Sequence, residues 1–585
     1  MNVSSDTERT DCQPQGRAVA YVPVLLLFIA IFGLFSHFLQ SNLYQHQAPF
    51  FDSVQYYDRV YEIVSVRQQQ GIVAAIEYSA LKPSTICFPY FLSVLLSYIL
   101  PASRGVGVWI EVFYLTVFLF SLAEYLRRVV RVSALRVLLG IAPVLMMTAL
   151  YRWNSGITDL RVDLPCAFLY GSTACWWLIG RSQYNKSKWL PFVLAGICAG
   201  IACLTRAIAP IYLASGFIPL LLLELARTPR RSQFLMQAAV AIGIAVVISA
   251  WFYIIQFKFI YFYYAVWNTD ANAGVSLTRS IKHFGAAYKS IGVVVTAYLV
   301  LSVIAVAKNR PTNKNPVQKP TTDIDALKLL WLGLAPVLLL VVKRADINPF
   351  VSLPGSIGIV LAGIVYMFPR VIQLPVPRQI GIGISACVLI LVACSLGFYQ
   401  HVFNDSKTMS AQQQLVSSIQ SDARQQGRKQ VSYSVSLLAC ISPSSLKSIL
   451  QFDRNSRYVD EKTVEVEGIR FKVVTEMMNP SKANWDRLKG ENAEQKIDWL
   501  EQFALAKIDY IVTPDLRSVP MLKRKYSSDY SMNFADEIIT IFSNSENWMP
   551  ISEKIEIDPG VFIQLRKNVS STRMTSRSKA SNSLR

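Results

Sequence analysis

The amino-acid sequence predicts a polytopic α-helical membrane protein with a small soluble domain after its last span. Of its 585 residues, 52% are hydrophobic and 16% are charged, and runs of about twenty apolar residues recur between residues 19 and 400. A soluble globule could not keep so much apolar surface from water, whereas about 20 apolar residues in a helix cross a bilayer. From about His401 the apolar runs end and charged residues become frequent, which indicates the soluble domain.

The net charge of +20 is explained by membrane topology rather than by nucleic-acid binding. The Lys and Arg residues are scattered over short loops between apolar runs, as expected for loops that are retained in the cytoplasm. Nucleic acid is therefore not predicted as a partner. The nine cysteines include no C-x-x-C pair and there are only four histidines, so neither a disulfide framework nor a zinc site is indicated.

The first apolar run, about Val19 to Phe38, is predicted to be an uncleaved membrane anchor. It is longer than the core of a signal peptide, and no small-x-small cleavage pattern comes directly after it. Residues 1–17 are then a cytoplasmic N-terminus, and the membrane domain covers residues 18–400. Ten further spans, which bring the total to eleven, are predicted at about 106–126, 135–151, 162–180, 188–204, 211–226, 234–256, 291–307, 327–342, 350–368 and 380–399.

One short apolar segment, Ile86 to Leu100, is either a twelfth span or a helix at the membrane interface, because Pro89 interrupts it. If it stays on the outer side, five basic loops of the membrane domain fall in the cytoplasm, as the positive-inside rule requires. Those loops lie at 127–136, 181–188, 227–231, 308–319 and 370–378. Eleven crossings then place the C-terminus outside, and residues 41–105 form an outer loop with juxtamembrane helices.

Residues 401–567 are predicted to form an exported α/β or α+β domain. Apolar residues on one face predict a helix at 493–504, and Ile508 to Thr513 follows it as a strand. Residues 463–474 alternate around Gly468 like a hairpin, and residues 555–565 are predicted to be a closing strand. The Ser- and Arg-rich tail, residues 568–585, is predicted to be disordered and basic.

In this topology, charged residues from distant parts of the chain come to the outer face. They are Asp52, Lys82, Asp159, Asp163, Arg206, Lys343 and Arg344. Asp52 and Gln55 have the capping-box spacing of an interfacial helix from about Ser53 to Gln68, so Asp52 is interpreted either as a helix cap or as a catalytic base.

Lys82 and the two later acids also have structural interpretations. Lys82 precedes an interfacial segment, where a lysine can extend its ammonium to lipid headgroups. Asp159 and Asp163 lie four residues apart at the start of a span, where the helix dipole favours acids, and Arg161 offsets their charge. The structural interpretation is favoured for Lys82, whereas Asp159 and Asp163 are as compatible with a role at an outer active site as with a structural one.

The remaining cations point more strongly to function. Arg206 lies at an outer turn, where an arginine is costly unless it meets an anion such as a phosphate. The Lys343-Arg344 turn violates the positive-inside preference, which is tolerated when the charges have a role. By contrast, an aromatic group is interpreted as an interfacial belt: Tyr261, Tyr263, Tyr264 and Trp267.

The order of these features resembles the C-type integral membrane glycosyltransferases, in particular the aminoarabinose transferases and protein O-mannosyltransferases that use polyprenyl-phosphate sugars. The matching residues within about 18–400 are Asp52 with Tyr56, Lys82-Pro83, Asp159, Leu204-Thr205-Arg206, and Lys343-Arg344 with Pro349 and Pro354. The resemblance implies that Asp52 is the catalytic base and that Asp159 assists it. It implies that Lys82, Arg206, Lys343 and Arg344 bind the donor phosphate, supported by Tyr56 and Asp163.

The implied reaction moves a sugar, with inversion, from a polyprenyl-phosphate donor to a hydroxyl or amine of a lipid, glycan or protein acceptor. It takes place on the extracytoplasmic face, and the implied location is the bacterial plasma membrane. The leaving phosphate is stable as an anion, so cations suffice to stabilise it and no general acid is needed. No cofactor is required, although the acids could hold a divalent metal.

Two other classes of function stay open at this stage. A transporter or flippase for a lipid-linked or anionic solute would carry charges and broken helices at mid-membrane, whereas the ionisable residues here crowd one face. A receptor-like protein whose exported domain binds a partner would leave the charges at the membrane face without a role.

Overall fold

The computed structural model describes the chain from Asp52 onward, with gaps. The described residues are 52–100, 104–130, 134–152, 156–157, 159–182, 189–267, 276–308, 319–343, 350–435, 446–447, 450, 456–460, 462–474, 501–502, 504–518, 520, 541–542, 546–558 and 561–569. The predicted anchor at 19–38 lies outside them, as do most of the predicted helix at 493–504 and the tail from residue 570.

Helices make up the membrane part, and each of the ten predicted spans that fall on described residues coincides with a helix. In chain order the helices are α1 (Asp52–Gln70), α2 (Ile72–Leu81), α3 (Phe88–Leu96), α4 (Arg104–Tyr125), α5 (Ala134–Leu145), α6 (Asp163–Ser182), α7 (Leu190–Thr205), α8 (Ala209–Arg227), α9 (Arg231–Tyr261), α10 (Leu277–Ile291), α11 (Val293–Ala307), α12 (Lys319–Val342), α13 (Leu353–Val371) and α14 (Val376–Gln425). π-Helical turns continue α4 over Leu126–Val130 and α9 over Phe262–Trp267.

The helices differ in whether they could cross a membrane alone. Among the described residues, α4, α8, α9, α12, α13 and α14 are long and apolar enough, and α10 with α11, bent by 74° at Gly292, would make a seventh span. Helices α5 and α7 have 12 and 16 residues, fewer than the 17 to 25 of a usual span. The predicted fold class is confirmed, whereas the count of eleven spans stays a prediction.

Helix α3 occupies the short apolar segment whose placement decides the topology. It has nine residues, and Pro89 lies in its first turn, where a missing N–H costs no intrahelical bond. At 1.5 Å per residue such a helix is about 14 Å long, which is half of a bilayer core. This length favours a segment that stays on one side of the membrane.

Helix α6 is the centre of the bundle. Its residues 163–180 are all buried, and it packs against α4, α7 and α13. A helix that is apolar on all sides is stable only when other helices surround it. Asp163, in the first turn of α6, therefore lies on a helix that its neighbours enclose along most of its length.

The C-terminal part forms an eight-stranded mixed sheet. Its strands are β1 (Gln430–Val435), β2 (Ser456–Asp460), β3 (Thr463–Val466), β4 (Ile469–Val473), β5 (Tyr510–Pro514), β6 (Trp548–Pro550), β7 (Ile555–Asp558) and β8 (Val561–Asn568). The order is β2-β3-β4-β1-β5-β8-β6, and β7 pairs with β8. Strand β1 runs parallel to β4 and β5, and the other pairs are antiparallel.

The strands confirm most of the sequence interpretation of this part and correct one element. The predicted hairpin is β3 with β4, and Gly468 has the positive φ of 80° that its tight turn needs. The predicted strand at 508–513 corresponds to β5. The single closing strand predicted at 555–565 is wrong, because β7 and β8 pair with each other in opposite directions. Asn568 ends β8 and is fully buried, so it does not belong to the tail.

Helix α14 runs without a break from the membrane part into the sheet domain over 50 residues. Near its end, Asp422 accepts hydrogen bonds from Tyr510 and Gln426, both at 2.6 Å, and its carboxylate lies 3.0 Å from Lys567 Nζ. Burial acts to raise the pKa of Asp422, but these donors outweigh it and lower the pKa. The ionised carboxylate therefore ties α14 to β5 and β8.

Candidate functional site

Helix α1 begins at Asp52, close to the start that the sequence predicts. The Asp52 side chain lies outside the described residues, so its role as base or cap stays a prediction. Tyr57, in the second turn of α1, is fully buried, and its phenol oxygen accepts the N–H of Leu160 at 3.4 Å. The first two turns of α1 therefore lie beside the loop that contains Asp159.

Lys82 is held by a carboxylate that the sequence analysis did not identify. Its Nζ lies 2.7 Å from Glu62 Oε2 and 2.5 Å from the Tyr78 hydroxyl, which itself donates to Glu62 at 3.0 Å. Arg59 Nη1 approaches the same carboxylate oxygen at 3.3 Å. Burial raises the pKa of the Tyr78 phenol, which stays protonated and able to donate. The Lys82 side chain keeps 18% of its surface exposed, so the ammonium can still meet a ligand.

The backbone around Lys82 is fixed by Gln256, a buried amide in the span α9. Its Nε2 donates to the carbonyls of Ala80, Leu81 and Lys82 at 2.9 to 3.3 Å. The last four carbonyls of a helix have no partner within the helix, and Gln256 supplies one to the end of α2. Lys82 is the C-cap residue of α2, directly after Leu81. The bonds to Gln256 therefore fix the backbone from which the Lys82 side chain extends.

Two backbone hydrogen bonds join the Lys82 loop to the Arg206 turn. Cys87 N–H donates to the Leu204 carbonyl at 2.8 Å, and Ala207 N–H donates to the Thr85 carbonyl at 3.0 Å. We call this pair of bonds the clasp. It fixes the residues after Lys82 against the residues on either side of Arg206, although the two segments are distant in sequence.

Arg206 is the C-cap residue of helix α7, and its side chain contacts the first turn of α6. Its guanidinium forms an ion pair with the Asp163 carboxylate, and Arg161 Nε lies 3.4 Å from the other oxygen of that carboxylate. The Asp163 side chain is 2% exposed, whereas that of Arg206 is 16% exposed. Asp163 thus orients the Arg206 side chain, part of which stays accessible.

The turn that carries Asp159 is held by Glu111 from the span α4. Glu111 is fully buried, and its Oε1 accepts the N–H of Arg161 at 3.2 Å. With the bond from Leu160 N–H to the Tyr57 hydroxyl, consecutive backbone donors of this turn are fixed by side chains. Asp159 itself is 1% exposed, so the turn presents its acid inside the protein.

Two tyrosines near the end of α9 lie beside the Arg206 turn. The Tyr253 hydroxyl donates to the carbonyls of Cys203 and Ala207 at 3.2 and 3.0 Å, and Tyr264 belongs to the same small apolar cluster as Leu204 and Ala207. Tyr264 is half-buried, and the interpretation of the group Tyr261, Tyr263, Tyr264 and Trp267 as an interfacial belt stays a prediction.

The other predicted residues are less closely connected to this centre. Tyr56 is half-buried against the core of the bundle. Lys343 is exposed at the end of α12, and Arg344 lies outside the described residues. The chain returns at Phe350, whose ring lies 4.2 Å from the Arg161 guanidinium carbon, so the Lys343-Arg344 turn leads to the same end of the bundle.

Glu62, Glu111 and Gln256 are the residues that sequence reasoning missed. Glu111 and Gln256 gave a signal, since polar residues inside apolar runs are costly in a bilayer and usually have a partner there. Glu62 gave none, because an acid on an interfacial helix is ordinary. Within the described ranges, no three His, Cys, Asp or Glu side chains are grouped as metal ligands. The Asp52 side chain is outside that set, so a metal that it helps to bind stays a prediction.

The fold is similar to that of the solved structures of ArnT, which agrees with the fold class that the sequence predicts. Two solved structures of ArnT from Cupriavidus metallidurans, one in the apo state and one bound to undecaprenyl phosphate, match this chain with a TM-score of 0.54 at 12% identity. The match covers 93% of this chain and 98% of ArnT.

A cryo-electron microscopy structure of the arabinofuranosyltransferase AftD from Mycobacteria matches 94% of this chain and 39% of its own, with a TM-score of 0.45 at 15% identity. No protein-family model and no curated protein sequence matches the chain.

Proposed function

We propose that this protein is a glycosyltransferase that moves a sugar from a polyprenyl-phosphate donor to an acceptor hydroxyl or amine on the extracytoplasmic face of the membrane. The clasp between the Lys82 loop and the Arg206 turn carries the proposal. It joins the segment after Lys82 to the turn around Arg206, so two partly exposed cations lie on neighbouring segments at one end of the bundle.

The cations have the chemistry that a donor phosphate requires. A guanidinium has five N–H donors in a planar fork, so the ion pair with Asp163 leaves Arg206 with donors for a second anion. Lys82 supplies a compact positive charge from the other side of the clasp. The ArnT structure bound to undecaprenyl phosphate shows that this fold accommodates such a lipid phosphate, which supports the same ligand here.

The proposed reaction needs one base and no acid. Asp52 takes the proton from the acceptor as it attacks the anomeric carbon, the bond from that carbon to the phosphate oxygen breaks, and the configuration inverts. The phosphate leaves as an anion that Lys82 and Arg206 stabilise. The contact of Tyr57 with Leu160 supports this assignment, because it brings the start of α1 near Asp159. In this proposal Asp159 orients the acceptor or the cations.

Asp52→Asn is the experiment that tests the proposal. Asn has the shape of Asp but cannot accept the proton, so transfer from a panel of radiolabelled polyprenyl-phosphate pentoses and hexoses should fall by roughly 10² to 10⁴. Undecaprenyl phosphate should still bind. Asp58→Asn is the matched control, since Asp58 lies on the same helix and its carboxylate is 3.6 Å from Lys447 Nζ of the sheet domain.

Full transfer by purified Asp52→Asn would end the assignment of Asp52 as base and leave it as a helix cap. Translocation of the lipid-linked sugar across liposomes, without transfer in any variant, would instead support a transporter.

A further inference from the structure

A groove lies between helices α11 and α14, at the end of the bundle away from the clasp. It has a volume of about 770 Å³, within the usual range of ligand sites, and is lined by Tyr298, Leu301, Ser302, Ala305, Lys308, Pro377, Arg378, Gly381, Ile382 and Ser385. Most of its wall is apolar, and Leu301 beside it is 55% exposed, as expected where a helix faces lipid.

The position of the groove follows from helix α13. This helix starts next to Phe350, whose ring packs on Arg161 of the candidate site. Its 19 residues extend about 28 Å, which nearly crosses the bilayer core. α14 starts soon after α13 ends, so Arg378 in its first turn lies at the opposite membrane surface. The proposed topology makes that surface cytoplasmic.

Two exposed cations mark the mouth of the groove. Lys308 directly follows α11, and Arg378 is the third residue of α14. Residues 309–318 contain two more cations and no acid, and there is no acid between Arg370 and Arg378. The first acid after Lys308 in the sequence, Asp323, forms an ion pair with Arg370 at 3.0 Å. Charge complementarity at this mouth therefore calls for an anion that the described part of the chain does not supply.

We propose that the groove binds an anionic glycerophospholipid of the cytoplasmic leaflet. Its phosphate lies between Lys308 and Arg378, and an acyl chain runs along Leu301 and Ile382. Basic pockets between membrane helices on the cytoplasmic side are suited to such headgroups, because the cations meet the phosphate at the depth where lipid places it. The site is independent of the proposed transfer reaction.

Binding here would stabilise α14, which continues into the sheet domain. A polyprenyl phosphate also combines a phosphate with an apolar chain. We assign the groove to the phospholipid because the groove and the clasp lie at opposite membrane surfaces.

Native mass spectrometry of the full-length protein, titrated with phosphatidylglycerol or phosphatidylcholine, tests the site. Phosphatidylglycerol should bind and raise the thermal midpoint, and phosphatidylcholine should not. The double variant Lys308→Ala/Arg378→Ala should weaken phosphatidylglycerol binding about 30-fold, the effect of two basic residues near an anionic headgroup. Arg227→Ala/Arg231→Ala, which removes the same charge beside α8 and α9, should not.

A third variant tests the apolar part of the groove without a change of charge. A Cβ at Gly381 would meet no atom within 4 Å, so Gly381→Leu should fold normally, fill the groove and weaken phosphatidylglycerol binding. Equal binding by the variants and the control, equal binding of phosphatidylcholine, or displacement of phosphatidylglycerol by stoichiometric undecaprenyl phosphate would each overturn the proposal.

Discussion

The two ends of the helix bundle use ion pairs in different ways. At the end that is proposed to be cytoplasmic, Glu224 lies 3.1 Å from Arg181 and 2.6 Å from Lys328, and Lys328 is 3.7 Å from Asp325. Tyr125 donates to Asp325 at 3.1 Å. All five residues lie within helices, and their contacts join α4, α6, α8 and α12 to one another.

At the other end, Lys82 and Arg206 lie where helices α2 and α7 end. A cation at a helix C-terminus is stabilised by the helix dipole, typically by about 0.3 to 1 kcal/mol. The helix dipole explains why cations are tolerated at these positions. It does not explain why the clasp joins the segment after Lys82 to the turn around Arg206.

We interpret the difference as a division between charges that stabilise the bundle and charges that are proposed to bind the donor phosphate. Side chains on helix faces point at neighbouring helices, so the Glu224 network is closed by groups of the protein and holds the bundle together. Side chains at helix ends extend beyond the packed bundle, where a ligand can reach them. Substitutions at the two ends should therefore separate stability from transfer.

Among substitutions that test this comparison of the two ends, the largest effect is expected for Arg206→Ala. Arg161 still neutralises Asp163 in this variant, so the protein should fold. Loss of a cation that faces the leaving phosphate should lower transfer by roughly 10² to 10³, the range for a lost transition-state donor. Binding of undecaprenyl phosphate should weaken as well, because the contact to phosphate exists before the transition state.

Arg206→Lys is the control for Arg206→Ala, since it retains the charge but loses the planar fork, and it should recover part of the rate. Transfer that is unchanged in Arg206→Ala would show that the Asp163 pair is structural, like the Glu224 network.

A smaller effect, on stability alone, is expected for Glu224→Gln. The amide retains the shape but removes the charge that Arg181 and Lys328 share, which should cost roughly 1.5 to 3 kcal/mol of unfolding free energy. Thermal unfolding of the membrane-embedded protein measures it. Transfer per folded molecule should equal that of the wild type, and a specific loss of transfer would contradict the division between the two ends.

The smallest effect is expected for Gln256→Leu, which removes the amide that holds the end of α2. Lys82 keeps its charge but loses its fixed starting point, so the KM for the lipid donor should rise about tenfold while kcat changes little. Gln237→Leu is the matched control, because Gln237 is a buried amide on the same helix. Equal kinetic changes in both variants would mean that Gln256 acts only through the stability of α9.

The sequence by itself determined where the helices lie and which residues belong to one face. Runs of apolar residues are local signals, and the ten spans that it predicts among the described residues are all helices. It also determined the fold class and the hairpin at Gly468, whose turn needs a residue that tolerates positive φ.

Only the tertiary structure decided which side chains meet. The pairing of Lys82 with Glu62, the support of Arg161 by Glu111 and the bond from Tyr253 to Ala207 join segments that no periodicity connects. The separation of β7 from β8 was also beyond the sequence pattern, because an apolar alternation does not show where a strand reverses. The physical reason is common to these cases. Helix and strand formation depends on neighbours along the chain, whereas hydrogen bonds and ion pairs depend on which elements packing brings together.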